Sequence, residues 1–169
     1  MKKSILLLAA AMLVCSCGFQ KNSASSTQSS TSGTQQVSAL SAGQGAGNAM
    51  LNLYNQYKAD GNKYDYTNMQ NALNTVTLLA NCQGLKQNYK DKAYLKEFGE
   101  GMMESSLGLV TQDNMERVTN SLVDMVKNNE NVQDSSSKMK SGASAAAGYA
   151  NTAAQYAGAI SALLAIFAQ

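Results

Sequence analysis

Three glutamates spaced three and four residues apart are the strongest candidates for acid–base chemistry in this sequence. Glu97, Glu100 and Glu104 would share one face of a helix, and paired carboxylates can act as general acid and general base. Lys92 and Lys96 lie beside them, which is typical of a solvated surface with weak ion pairs. The chain has no histidine, which excludes the commonest general base, serine–histidine and cysteine–histidine nucleophile pairs, and the usual zinc and copper sites. We therefore expect a protein that is not an enzyme and that uses no cofactor.

Two other stretches have residue types that could bind a metal ion or act as a nucleophile. Residues 60–65 offer oxygen ligands around Gly61, but they include Lys63 and lack the terminal glutamate of a calcium loop. Cys82 has no cysteine partner in the folded part of the chain and no histidine to lower its pKa. It falls at the edge of a helical stripe, so we expect a half-buried structural thiol, with an intermolecular disulfide as the alternative. The sequence thus predicts no metal site.

Four tyrosines lie close together in the sequence, at Tyr54, Tyr57, Tyr64 and Tyr66. Aromatic residues at this density can form a surface that binds glycans or peptides, or they can form the edge of a hydrophobic core with rings inwards and hydroxyls outwards. The absence of tryptophan makes a carbohydrate platform less favourable. Both alternatives remain open, a binding surface or the edge of the core. Arg117 is the single arginine, which excludes an arginine cluster for phosphate or carboxylate groups.

The elements that would position these residues are predicted to be helices. The chain has no proline, 44% of its residues are hydrophobic, and apolar side chains recur every three or four residues. Glycines and polar residues interrupt the pattern. It predicts five helices, at residues 37–60, 67–83, 91–107, 111–128 and 138–169. We expect an all-α bundle of about five helices over residues 37–169.

The fifth segment differs from the others because residues 141–169 include no charged side chain. Small residues at every fourth position form a ridge, consisting of Gly142, Ala146, Ala150, Ala154, Gly158 and Ala162. Such a ridge lets a second backbone approach closely, and Gly43 and Gly47 of the first segment are its predicted partners. A helix without a charged face is buried in a bundle or inserted in a membrane. The strongly apolar part, residues 157–168, is shorter than the roughly 20 residues that span a bilayer, so we expect a central helix, with membrane insertion as the alternative.

The N-terminus carries a targeting pattern. Two lysines precede an apolar run at residues 5–14, whose length suits a signal peptide. In the Val-Cys-Ser-Cys sequence at residues 14–17, a small residue directly precedes Cys17 and an aliphatic residue lies three positions before it. This arrangement resembles the signal of bacterial lipoproteins, in which that cysteine becomes the lipidated N-terminus. The resemblance implies a signal peptide at residues 1–16 and a lipid, such as palmitate, on Cys17; Cys15 follows a large valine and fits less well.

Residues 17–36 join this cysteine to the helical segments. They are rich in Ser, Thr and Gln, and such a composition cannot offset the entropy cost of ordering the chain. We expect a flexible tether with a reach on the order of 25 Å. Without Lys2 and Lys3 the 13 basic residues become 11, equal to the 11 acidic ones. A net charge near zero argues against nucleic acid as a partner and leaves the lipid as the membrane anchor.

The signal and the general composition look like those of small all-helical lipoproteins of Bacteroidetes-type bacteria. This resemblance implies a location in the cell envelope, anchored in the outer membrane and facing the periplasm, and it implies no particular activity. We expect a non-catalytic binding or scaffold module whose partner is an envelope protein or a second copy of the chain. The alternative is a membrane-active or oligomerising protein that inserts its uncharged C-terminal helix into the bilayer.

Overall fold

The computed structural model describes residues 38–127 and 142–168, and within them the chain is helical with no strand. The helices are α1 (Ala39–Ala59), α2 (Met69–Asn81), α3 (Gln83–Asn88), α4 (Lys92–Ser105), α5 (Met115–Lys127) and α6 (Gly142–Ile166). They belong to one compact unit, Gln35–Gln169, whose apolar side chains share one core. Each of the five predicted segments contains a helix, so the prediction of an all-α bundle is confirmed.

Short polar side chains determine where three of the helices begin. Oγ of Ser38 and the Oδ1 atoms of Asn68 and Asp91 accept hydrogen bonds from backbone N–H groups in the first turns of α1, α2 and α4. These bonds satisfy donors that a helix start otherwise leaves unpaired. At the other end of α1, Gly61 and Asn62 have positive φ angles of 70° and 62°, a conformation that stops the helix.

The short helix α3 is absent from the sequence prediction, which ends the second segment at Gly84. Instead, Gly84 lies inside α3, where a Cβ atom would overlap the hydroxyl oxygen of Tyr94. The glycine is therefore explained by close packing between α3 and α4, because any larger residue would displace this tyrosine.

The closest approach between helices joins α1 and α4. A Cβ at Gly43 would overlap the carbonyl oxygen of Phe98, and a Cβ at Gly101 would overlap the carbonyl oxygen of Leu40. At Gly47 an added Cβ would lie 2.7 Å from the carbonyl oxygen of Met102. Gly43 and Gly47 therefore pack against α4, and their predicted pairing with the small-residue ridge of the C-terminal helix is wrong.

The core is assembled from large apolar side chains of all six described helices. Those below 2% exposure include Met50, Leu53, Leu78, Leu85, Phe98, Met102, Leu122, Val126, Ile160, Leu163 and Leu164. Burying one such side chain contributes roughly 1.5–3 kcal/mol relative to leaving it in water. Both α1 and α4, the two helices that approach closely at Gly43 and Gly101, contribute large side chains to this core.

The C-terminal helix α6 packs against α2, α5 and α1 along one side. That side contains Ala153, Tyr156, Ile160, Leu163 and Leu164, all buried, at the spacing of three and four residues that aligns side chains on a helix. The opposite side is exposed. The expected central position of this helix is therefore not observed: α6 covers one side of the bundle and leaves its own outer side open.

Candidate functional site

The three glutamates of α4 lie on its solvent-facing side. Lys96 Nζ is 3.6 Å from Glu100 Oε1, and Gln44 Nε2 donates a hydrogen bond of 2.8 Å to Glu104 Oε2. Glu97 and Glu104 are exposed. The predicted solvated face with a weak i,i+4 pair is therefore confirmed, and these carboxylates do not line an enclosed site.

Tyr54 and Tyr57 are part of the packing between α1 and the C-terminus. Their rings stack with centroids 6.4 Å apart, and the Tyr54 ring meets Phe167 edge-on at 5.9 Å. The Tyr54 hydroxyl donates a hydrogen bond of 3.1 Å to the backbone carbonyl oxygen of Phe167. The contact between Tyr54 and Phe167 therefore joins α1 to the residue that follows α6.

The other two tyrosines, Tyr64 and Tyr66, have different surroundings from Tyr54 and Tyr57. The Tyr64 hydroxyl and Thr75 Oγ1 share a hydrogen bond of 2.6 Å, and burial raises the pKa of Tyr64. Tyr66 is 43% exposed. The four tyrosines do not form one binding surface, because Tyr54, Tyr57 and Tyr64 pack against the core and Tyr66 alone of the four is exposed.

Cys82 lies between α2 and α3 and is fully buried. Burial raises the pKa of its thiol far above the ordinary range, so the thiolate is not accessible at neutral pH. The expectation of a half-buried thiol at the edge of the stripe is wrong, because Cys82 is part of the buried apolar core that the helices share. An intermolecular disulfide would require the fold to open.

The polar stretch at residues 60–65 forms a turn. Asp65 Oδ1 accepts hydrogen bonds of 2.6 Å from Thr67 Oγ1 and 2.8 Å from Thr67 N. The hydroxyl of Thr67 is the main reason that the pKa of Asp65 is lowered. Among the described residues, no group of three or more Cys, Asp or Glu side chains could hold a metal ion.

The outer side of α6 carries a continuous row of mostly small residues, which we call the outer stripe. Its members are Ala147, Asn151, Ala154, Gly158, Ala162 and Ala165, all of them exposed. A Cβ at Gly158 would meet no atom within 4 Å. The outer stripe therefore has room for another backbone to approach, and within the described residues nothing occupies it.

Most of the predicted ridge lies on or beside this stripe. Ala146, Ala154, Gly158 and Ala162 are exposed and Ala150 is half-buried. Gly142 begins α6, and its surroundings lie outside the described part of the chain. The ridge therefore does not pack inside the bundle, because the larger residues on the opposite side of α6 fill the core.

A shallow groove of about 370 Å³ runs between α5 and α6 next to the outer stripe. Its lining residues are Ser121, Asp124, Met125, Gln155, Tyr156, Ala159, Ala162 and Leu163. Ala162 belongs to both the groove and the outer stripe. The groove and the outer stripe together form a single surface. Its α6 side consists of uncharged, mostly small side chains, and its α5 side has one carboxylate, Asp124.

Tyr156 is the most unusual residue of this groove. It is only 2% exposed, and its hydroxyl has no hydrogen-bond partner among the described residues. Burial raises the pKa of Tyr156 to about 12. An unpaired buried hydroxyl costs about 1–3 kcal/mol, so a phenylalanine would suit the isolated fold better.

Tyr156 belongs to a row of residues that recur every three or four positions in the fifth segment, and the sequence gives it no role of its own. Ser121, Asp124 and Met125 receive no role at all, because the pairing of α5 with α6 is not visible in the sequence. One signal was available: a tyrosine on the packing side of a helix must find a partner for its O–H group or leave it unpaired.

Cys17, the predicted lipidation site, lies outside the described residues. Among the described helices, none is both long enough and apolar enough to cross a membrane. Comparison with protein-family models, with curated proteins and with solved structures found no match for this chain.

Proposed function

We propose that this chain is a non-catalytic docking module of the bacterial cell envelope, anchored by a lipid on Cys17 and binding a helix of a protein partner through the outer stripe of α6. The observation that supports docking is the exposure of Ala154, Gly158 and Ala162 on a helix without charged side chains. Large contiguous patches of exposed apolar surface mark interaction sites on proteins.

The shape of the outer stripe favours a helix as the ligand. Small side chains let two helix axes come close, so that backbone and Cβ atoms make many weak contacts along their length. The stripe is straight and continuous over most of α6. A loop or a small molecule would use only part of it.

Docking can be tested in the full chain produced in a bacterial envelope, with a photoreactive phenylalanine analogue in place of Ala162. We expect a crosslinked species that disappears when Ala154→Glu places a charge on the outer stripe. Ala93 of α4 is also exposed, so the analogue at position 93 and the variant Ala93→Glu are matched controls. Absence of a crosslink from position 162, or equal crosslinking from position 93, would contradict docking through α6.

The lipid anchor is supported by the Val-Cys-Ser-Cys sequence at residues 14–17 and by the polar tract that follows it. Labelled palmitate supplied to cells producing the full chain should be incorporated, and Cys17→Ala should abolish the label. Cys15→Ala is the matched control and should keep it. If incorporation of the label depended on Cys15 instead, Cys15 would be the lipidated residue and the signal peptide would be two residues shorter.

Insertion of α6 into the bilayer is the competing proposal. It would remove Tyr156, Ile160 and Leu163 from the core, where each is at most 2% exposed, and we therefore prefer docking. The competing proposal predicts that the unit Gln35–Gln169 releases dye from liposomes. Docking predicts intact liposomes at protein concentrations where the unit remains folded by circular dichroism.

A further inference from the structure

The loop between α4 and α5 presents the most exposed large hydrophobic side chain in the described part of the chain. Leu107 is 85% exposed, whereas the other exposed large hydrophobic side chains are at 45% or less. Leu107 does not belong to the shared core, although Leu109 packs against that core and Val110 lies within it. A single leucine at a protein surface is common, so exposure alone assigns no function to it.

The backbone at Leu107 has a conformation that leucine disfavours. The Leu109 N–H donates a hydrogen bond of 3.0 Å to the carbonyl oxygen of Ser106, so residues 106–109 form a tight turn. Its two central residues, Leu107 and Gly108, have positive φ angles of 49° and 85°. A positive φ brings a Cβ close to a backbone carbonyl oxygen, and asparagine followed by glycine is the usual pair in such a turn. Leucine at the first central position therefore strains the turn.

Consecutive residues with positive φ also occur at the end of α1, where they have the side chains that this conformation favours. These residues are Gly61 and Asn62. Among the described residues, Leu107 is thus the one large side chain held in the left-handed region. Because asparagine would suit this backbone better and the leucine side chain adds little packing, the fold itself does not explain leucine at position 107.

Hydrogen bonds on the C-terminal side of the turn hold the loop in place. Ser106 is fully buried, and its Oγ accepts a hydrogen bond of 2.9 Å from the Val110 N–H. Asn114 Nδ2 donates a hydrogen bond of 3.0 Å to the carbonyl oxygen of Leu109. The leucine is therefore presented on an ordered loop, which lowers the entropy cost of inserting its side chain into a partner.

We propose that Leu107 inserts into an apolar pocket of a protein partner. Insertion supplies the burial of the leucine side chain that the isolated fold does not provide. This is a second interaction surface, formed by the α4–α5 loop and not by the outer stripe of α6, and it goes beyond the proposed function.

The charges around the loop indicate the chemistry of the partner. Glu104, Asp113 and Glu116 are exposed on either side of the turn in the chain, and no lysine or arginine occurs between Lys96 and Arg117. An anionic lipid surface attracts basic side chains, so a bilayer is disfavoured as the occupant. A protein pocket bordered by lysine or arginine side chains would complement the acidic residues.

The proposal can be tested by photocrosslinking in cells that naturally produce the full chain, with a photoreactive phenylalanine analogue in place of Gln112. This residue is exposed in the same loop, so Leu107 stays in place. We expect a crosslinked protein whose yield falls at least about tenfold in Leu107→Asn, because the burial of a leucine side chain accounts for that factor. Leu107→Met should retain most of the yield. Met69→Asn, at an exposed position of α2, is the matched control and should leave the yield unchanged.

Unfolding of the variants distinguishes a binding role from a structural one. Leu107→Asn should leave the unfolding midpoint of the purified full chain unchanged or raise it, because asparagine tolerates a positive φ better than leucine does. A lowered midpoint would show that the leucine stabilises the fold, and this result would overturn the proposal.

The crosslinked peptide tests the chemistry of the partner. Mass spectrometry should place the crosslink in an apolar segment with lysine or arginine beside it. Asp113→Asn should lower the yield more than Asp60→Asn, the matched control at the end of α1, where the aspartate is also exposed. The proposal is overturned by an adduct with lipid alone, by equal effects of the two aspartate variants, by a crosslink that persists in Leu107→Asn, or by no crosslink from position 112.

Crosslinking from positions 112 and 162 separates this inference from the proposed function. Leu107→Asn should remove the crosslink from position 112 and keep the one from position 162, and Ala154→Glu should do the reverse. If position 112 gives the expected crosslink and position 162 gives none, docking through α6 fails and the role of Leu107 stands. The opposite result overturns this inference alone.

Discussion

Gly43 of α1 lies so close to Phe98 of α4 that a Cβ at position 43 would overlap the carbonyl oxygen of Phe98. The contact is with backbone, which cannot rotate away as a flexible side chain could. Gly101 makes the reciprocal contact with the carbonyl oxygen of Leu40. The spacing between α1 and α4 is therefore determined by the glycines on both helices.

Gly43→Ala should destabilise the fold by about 1–3 kcal/mol, because the added methyl group forces the two helices apart. Gly158→Ala is the matched control: its Cβ would meet no atom, and alanine in a helix is favoured over glycine by up to about 1 kcal/mol. Urea unfolding of the unit Gln35–Gln169, at a concentration where it is monomeric, measures both. Equal changes at the two positions would contradict the observed helix spacing.

The stability of the fold should depend on alkaline pH through Tyr156. Burial raises its pKa to about 12, above the unfolded value of about 10. A raised folded pKa gives a contribution that is complete below about pH 10 and is lost as the pH rises towards 12. Unfolding midpoints measured across this window should fall more steeply for the native chain than for Tyr156→Phe. Parallel curves would show that Tyr156 does not titrate from a buried position.

The hydrogen bond between Tyr54 and Phe167 should stabilise the end of the bundle. Tyr54→Phe removes a partly buried bond of 3.1 Å and should cost about 0.5–1.5 kcal/mol. Tyr66→Phe is the control at an exposed position and should change the free energy of unfolding by less than about 0.5 kcal/mol. A larger effect at Tyr66 than at Tyr54 would reverse the roles assigned to these tyrosines.

Cys82 should resist thiol reagents in the folded protein. It is the single cysteine of the unit Gln35–Gln169 and is fully buried. Labelling should therefore require opening of the fold and should accelerate strongly in denaturant. Rapid labelling in native buffer would contradict the position of Cys82 between α2 and α3.

The sequence predicted the helices well because their signals are local. The recurrence of apolar residues placed Met50, Leu79, Phe98 and Leu122 on helices without reference to any other part of the chain. The predicted start at residue 91 and the predicted end at residue 60 also come from local signals, and the structure has the N-cap of α4 at Asp91 and the positive-φ turn after α1 at residues 61 and 62. The short helix α3 was not predicted, because a glycine at position 84 is typical of a helix end. The packing of Gly84 against Tyr94 depends on another helix, which the local sequence does not show.

What the sequence by itself determined is the helical composition and the charge-free C-terminal segment, since each is a property of neighbouring residues. The Val-Cys-Ser-Cys sequence at residues 14–17 is likewise local, and the lipid on Cys17 that it predicts stays a prediction. The tertiary structure alone decided which helices approach each other. Gly43 and Ala154 are both small residues in rows that allow close packing, and a single sequence does not indicate which row meets a partner within the chain. The fold places Gly43 against α4 and leaves Ala154 exposed, because α6 turns its larger side chains to the core and Tyr156 with them.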